Sequence, residues 1–286
     1  MVSARKCSTK RGQRGSGGST SDVGPFTSAP ARAFGVDERE DAASGGIHLW
    51  CIGVDSLVDS RLQGALQGLL SEQEGRRIRQ LRSADRQVRF RASRGLVRAA
   101  LSECRPEVAP GDWRLEENRF GRPFVTGPGP RPGPWFSVTH TQKWLLCAVS
   151  PASRLGLDAE PLDRRGDFRA VARRFFAAAE VEALERRPEA QRALDFLAFW
   201  TLKEALLKAK GRGLSLPLDC AEFELREDGT VRLTRIAVPG ERPDRWDLRL
   251  IWDVPGHVVA LAAVAGTPSP IRWHFDPPMA VGRTAA

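Results

Sequence analysis

The chain has 286 residues, 41% of them hydrophobic, and a formal net charge of +9. That length suits one large domain or two modest ones and can bury a sizeable core. No apolar run approaches the roughly 18–20 residues that cross a bilayer, so the expectation is a soluble, cytoplasmic protein with no membrane partner, and the arginine-rich surplus favours polyanions without choosing among them.

Cys7, Cys51, Cys104, Cys147 and Cys220 are scattered, odd in number and without C-x-x-C spacing. This pattern argues against a zinc site and a disulfide framework, and for reduced thiols. Residues 1–45 are rich in Gly, Ser, Arg and Ala and have no hydrophobic pattern, so they are expected to form a disordered basic tail. The tail lacks the apolar core of a secretory signal.

Order is expected from Ile47, where Ile47–Val54 has the pattern of a strand. A helix follows near Ser60–Leu70, and an arginine-rich helical stretch runs from about Glu72 to Leu101. Trp113–Glu116 is a short strand, and Asn118–Thr126 a turn and strand. Trp135–His140 is expected to be a strand end or a loop leading into a helix. Trp144–Ser150 is continuously apolar and suits a buried strand. After a turn at Pro151–Arg154 comes a strand at Leu155–Glu160, then helices at Phe168–Phe176, Ala178–Arg186 and Ala190–Lys210. The last helix stops at Gly211-Arg212-Gly213, where glycine accepts the left-handed conformation. Strands at Ala221–Leu225, Val231–Ile236, Trp246–Trp252 and His257–Ala265 complete the order, and residues 267–286 are expected to be an irregular tail. The fold class is α+β (α/β-type), in two strand-and-helix blocks, 46–152 and 153–266.

Four groups of residues carry chemistry. In Gly156-Leu-Asp158-Ala-Glu160, a strand aims Asp158 and Glu160 from one face, and paired carboxylates suit a hard cation such as Mg2+. In the segment Phe199 to Leu214, Trp200, Glu204 and Lys208 follow at steps of four and share a helical face among bulky apolar residues. His140, flanked by Thr139 and Thr141, can hydrogen-bond a phosphate or a ribose. Arg82, Arg86 and Arg89, in a run with few acids, fall on one helical face, and arginine binds phosphate through its planar fork. Taken singly, each group also suits a plainer role: a solvated acid pair, a surface Glu–Lys pair, a backbone-satisfied histidine, or a nucleic-acid patch.

Together, in order and spacing, these segments resemble the 4'-phosphopantetheinyl transferases of the surfactin-synthetase-activating type. Asn118-Arg-Phe-Gly-Arg122-Pro-Phe124 is similar to the family's G-K-P segment, and Phe136-Ser-Val-Thr139-His140-Thr141 to its F-N-x-S-H-S. Gly156-Leu-Asp158-Ala-Glu160 is similar to G-I-D-x-E, and Phe175-Phe176 with Glu180 to F-F-x-x-x-E. Trp200-Thr-Leu-Lys203-Glu204-Ala, with Lys208 and Gly211-Arg-Gly-Leu, is similar to W-x-x-K-E-A-x-x-K-x-x-G-x-G-L. The likeness covers about residues 70–225, with Ser137, Thr139 and Arg122 standing where many members have Asn, Ser and Lys.

The resemblance implies two similar, pseudo-twofold-related halves, each a small sheet packed with helices, with coenzyme A in the cleft between them. It implies that Asp158, Glu160 and Glu204 hold Mg2+, and that Glu204 takes the proton of a serine on an acyl or peptidyl carrier protein. Lys208 would stabilise the departing adenosine 3',5'-bisphosphate. Lys203, Arg122, Thr139 and His140 would contact the nucleotide or its phosphates, and Arg89 or Arg82 the 3'-phosphate. A monomer follows from a cleft internal to one chain. Two rival readings are a basic nucleic-acid-binding protein, which the acidic pair at 158 and 160 disfavours, and a coenzyme A-binding relative without catalysis, which the intact ligand set disfavours.

Overall fold

Alternation along the strands sets the layers. The computed structural model describes residues 46–129, 133–212, 215–264, 270–276 and 278, and the expected disorder of residues 1–45 lies outside them, as does most of the expected irregular tail. On β1 (Ile47–Gly53), Ile47, Leu49 and Cys51 face one core, while Trp50 and Ile52 face another. On β6 (Leu155–Pro161), Leu155, Leu157 and Ala159 share the first of these cores, and Asp158 and Glu160 occupy the alternate positions. Two sheets therefore pack through a common apolar layer, with helices on their outer faces.

The first sheet has the order β11-β1-β5-β4, with β4 at Trp135–His140, β5 at Trp144–Ser150 and β11 at Ile271–His274. The second has the order β6-β10-β9, with β9 at Trp246–Ile251 and β10 at His257–Val264. Two hairpins flank them: β2 (Arg114–Glu117) with β3 (Pro123–Gly127), and β7 (Ala221–Leu225) with β8 (Val231–Ile236). The helices are α1 (Ser60–Gly68), α2 (Glu72–Gln80), α3 (Ala84–Cys104), α4 (Phe168–Phe175), α5 (Ala178–Arg186) and α6 (Glu189–Lys210).

A strand, three helices, a hairpin and two strands: this order runs once from β1 to β5 and again from β6 to β10. The strand orders β1-β5-β4 and β6-β10-β9 match position for position. The protein is thus α+β with two similarly connected halves, although no sequence repeat announces it. Helix α6 holds its place by burial: Phe196, Leu197, Phe199, Leu202, Leu206 and Leu207 are all within its core. At about 1.5–3 kcal/mol for each large apolar side chain, this outweighs any difference in helix propensity.

Three expectations need correcting. The arginine-rich stretch is two helices, because Leu81-Arg82-Ser83 is extended and Ser83 caps α3 by accepting the Arg86 N–H. Arg82 therefore lies in the link and does not share a helical face with Arg86 and Arg89. Trp135–His140 leads into no helix; the Thr141 hydroxyl accepts the N–H groups of Lys143 and Trp144 and turns the chain into β5. Residues 271–274, within the stretch expected to be irregular, form β11, which pairs parallel with β1. That strand is fastened by a stack of His48, Trp50 and His274 and by a 3.1 Å hydrogen bond between the two imidazoles.

Candidate functional site

The site forms where β6 runs against α6. Gly156 makes this approach possible: a Cβ there would lie 2.0 Å from the Ala205 carbonyl oxygen and 2.3 Å from the Ala209 nitrogen. With α6 this close, its Glu204 and Lys208 meet the next outward-facing positions of β6, Asp158 and Glu160. Lys208 Nζ donates to Asp158 Oδ1 at 2.6 Å, and the Thr139 hydroxyl donates to the same oxygen at 3.2 Å. The other oxygen, Asp158 Oδ2, is buried with no hydrogen-bond partner. Ser137 secures the neighbouring register by accepting the Leu157 N–H.

Glu160 is held by Arg164 at 2.6 Å, and that guanidinium lies over the Trp200 indole. Burial raises the Glu160 carboxyl, and Asp158 adds to the rise, while Arg164 opposes it. Glu204 is likewise raised, first by burial, then by Asp158 and Glu160, with Lys208 and Arg164 opposing. Three carboxylates thus repel one another in a partly dry place.

Among the described residues, no three His, Cys, Asp or Glu side chains are placed to close on a metal ion as they stand. Asp158 and Glu160 are each engaged by a basic side chain instead. The residues nonetheless fit a hard cation in kind: the donors are all oxygens, they are mutually repelling, and one is an unpartnered buried carboxylate oxygen.

His140 opens to solvent beside this cluster. Partial burial and the charges of Arg89 and Lys208 hold its imidazole below the usual range, with Asp85 and Asp158 opposing. Arg89 pairs with Asp85 at 2.8 Å and donates to the Thr141 carbonyl at 2.6 Å. The structure therefore gathers Asp158, Glu160, Glu204, Lys208, Thr139, His140 and Arg89. Arg82 is exposed in its link.

Two expected nucleotide contacts are otherwise engaged. Lys203 is fully buried, and its three N–H bonds go to Glu180 at 2.8 Å, the Leu218 carbonyl at 2.9 Å and the Ala221 carbonyl at 2.7 Å. Glu180 also accepts the N–H groups of Ala177 and Phe223, so the pair fastens α5, α6 and β7 together. Burial pushes Glu180 up and Lys203 down, each opposed by the other's charge. No donor remains on Lys203 for a ligand. Arg122 donates to the carbonyls of Ala209 and Leu155 at 2.5 and 3.0 Å, which ties the β2–β3 hairpin to the second half. Burial, with Arg154 nearby, lowers its guanidinium to about 10. Sequence reasoning missed Arg164 and the partnership of Glu180 with Lys203. Arg164 stands four residues beyond Glu160, but past the strand end, where no periodicity rule applies.

Residues 154–262 match the family described as the 4'-phosphopantetheinyl transferase superfamily. The chain is 32% identical over 231 residues to the 4'-phosphopantetheinyl transferase HetI of Nostoc sp., covering 80% of this chain and 92% of that protein. It is 28% identical to a phosphopantetheinyl transferase of Thraustochytrium sp., over 75% of this chain and 77% of the relative. Against the 4'-phosphopantetheinyl transferase Sfp of Bacillus subtilis it is 29% identical, over 48% of this chain and 58% of that protein.

Proposed function

From the premise that this chain belongs to the 4'-phosphopantetheinyl transferase superfamily, we propose that it is a transferase moving the phosphopantetheine arm of coenzyme A to a serine of an acyl or peptidyl carrier protein. The observation that carries this reading is the juxtaposition of Asp158, Thr139 and Lys208 with Glu160 and Glu204 at the contact of β6 and α6. In this reading the serine hydroxyl oxygen forms a bond to the phosphorus bearing the pantetheine arm. The bridging P–O bond breaks, and adenosine 3',5'-bisphosphate leaves with its electron pair.

Glu204 receives the serine proton, directly or through water; burial beside two carboxylates makes it a stronger base than an exposed glutamate. Lys208 offers its ammonium to the departing phosphate. Arg89, whose charge lies near His140, would take the 3'-phosphate, and His140 would contact the nucleotide or its phosphates. Asp158, Glu160 and Glu204 would hold Mg2+, which supplies charge neutralisation at the diphosphate when bound. Every group named comes from one chain, so a monomer suffices, and we place the reaction in the cytoplasm. Among the described residues, no helix is long and apolar enough to cross a membrane.

The test is intact-mass spectrometry of an apo carrier protein incubated with the full chain, coenzyme A and Mg2+. The expected result is a gain of one phosphopantetheine that a chelator abolishes. A folded enzyme giving no gain across several acyl and peptidyl carriers overturns the reading.

A further inference from the structure

In the reading above Lys208 serves the departing phosphate, and in the structure its ammonium is held by Asp158. Its ammonium sits on Asp158 Oδ1 at 2.6 Å, a side chain only 9% exposed, while Asp158 Oδ2 goes without a partner. The lysine itself remains a third exposed, so it has room to swing. Arg164, the cation on Glu160, is about as exposed but also lies over the Trp200 ring, a contact that Lys208 does not share with Asp158. We infer that Lys208 is a placeholder cation: it neutralises Asp158 while the carboxylate cluster is empty and must leave Asp158 as a divalent metal binds. The inference rests on the proposed metal-assisted transfer.

The physical reasoning is direct. Three mutually repelling carboxylates in a half-buried site are costly unless a positive charge stands among them. Lys208 supplies one, so the metal-free protein keeps its shape. A metal bound at Asp158 repels the ammonium and frees it for an incoming phosphate. Metal loading thus delivers the lysine to its second partner, and by linkage a phosphate that attracts Lys208 favours metal binding in return.

The placeholder has a measurable signature. Each metal ion bound to the wild-type protein must first displace a charge-assisted hydrogen bond. Without coenzyme A, Lys208→Met should bind Mn2+ about tenfold or more tightly than wild type, the range expected for release of one such bond. Free Mn2+ would be followed by electron paramagnetic resonance on the full chain, with Mg2+ competition and a circular-dichroism melt to establish folding. Lys208→Arg, which keeps the charge, should return the affinity to near the wild-type value. An Mn2+ affinity that is unchanged or weaker in folded Lys208→Met overturns the placeholder, as does failure of either protein to bind Mn2+. Failure of the transferase reading shows separately, as the absence of any mass gain on carrier proteins.

Discussion

Glu204 is a single carboxylate on which proton transfer is proposed to depend, and its neighbours make the test clean. It lies in a like-charged cluster, so Glu204→Gln removes a repulsion while keeping the shape. The expected outcome is a fall in turnover of about 10²–10⁴-fold with a melting temperature equal to or above wild type. Transfer kinetics and a thermal melt check this, and normal turnover would end the proposed role. At this scale the sequence was informative where periodicity rules apply. A step of two on a strand brought Asp158 and Glu160 to one face, and a step of four on a helix aligned Glu204 with Lys208. Lys203, expected as a nucleotide contact from its match to W-x-x-K-E-A, instead gives its three N–H bonds to Glu180 and two backbone carbonyls. One residue along a helix turns the side chain by 100°, and here that turn carries Lys203 into the core toward Glu180. No local rule reveals a partner on a different helix.

At the scale of elements, the contact between β6 and α6 decides whether a site exists. Gly156 has no room for a methyl group against the α6 backbone. Gly156→Ala should cost more than the roughly 1–3 kcal/mol of ordinary overpacking, because the atoms met are backbone and cannot rotate aside. The variant should melt at a markedly lower temperature and, where it folds, transfer poorly, since Asp158 and Lys208 would be pushed apart. Near-normal stability and activity would show that α6 yields easily. Most elements could be read from the hydrophobic pattern, as in the continuous apolar run at Trp144–Ser150 and the bulky apolar residues of α6. The break at Leu81-Arg82-Ser83 carries only one local mark, the capping Ser83, with no Gly or Pro to end α2, so charge and helix propensity run straight through it. Strand β11 was missed for a different reason. Ile271 and Trp273 alternate with Arg272 and His274, but four residues are too short a run to mark a strand, and β11 is stabilised by the strand it joins.

For the whole molecule, charge and the pairing of β11 are the relevant features. The chain carries a formal charge of +9, and carrier proteins are generally acidic, so their encounter should be electrostatically steered. Raising the ionic strength from about 0.1 M to about 1 M shortens the screening length from roughly 10 to 3 Å. The expected outcome is a fall of about tenfold in kcat/KM for the carrier, measured at saturating coenzyme A, and a flat profile would remove the steering argument. Acid should loosen β11. Burial, with His274 and Arg272, lowers His48 from 6.5 to about 4, and His274 is also lowered. Between those pH values the unfolded chain binds a proton at His48 that the folded one refuses, so stability is full above 6.5 and is lost as pH falls toward 4. The loss should reach about 3 kcal/mol. A melting series should show it, with a shallower slope in His48→Phe; an equal slope would locate the acid sensitivity elsewhere.

The parallel pairing of β11 with β1 also sets how the chain could be divided. Every strand of the second sheet follows the turn at Pro151–Arg154, yet β11 returns across that divide to complete the first sheet. Two polypeptides cut at this turn would not be self-sufficient. The leading piece would expose the edge of β1, and the trailing piece would carry the strand that covers it. Co-expressed, they should reassemble by donation of that strand, and a trailing piece that stops before Ile271 should reassemble poorly. The two halves, already packed through a common apolar layer, are therefore also linked by a strand that one half lends to the other.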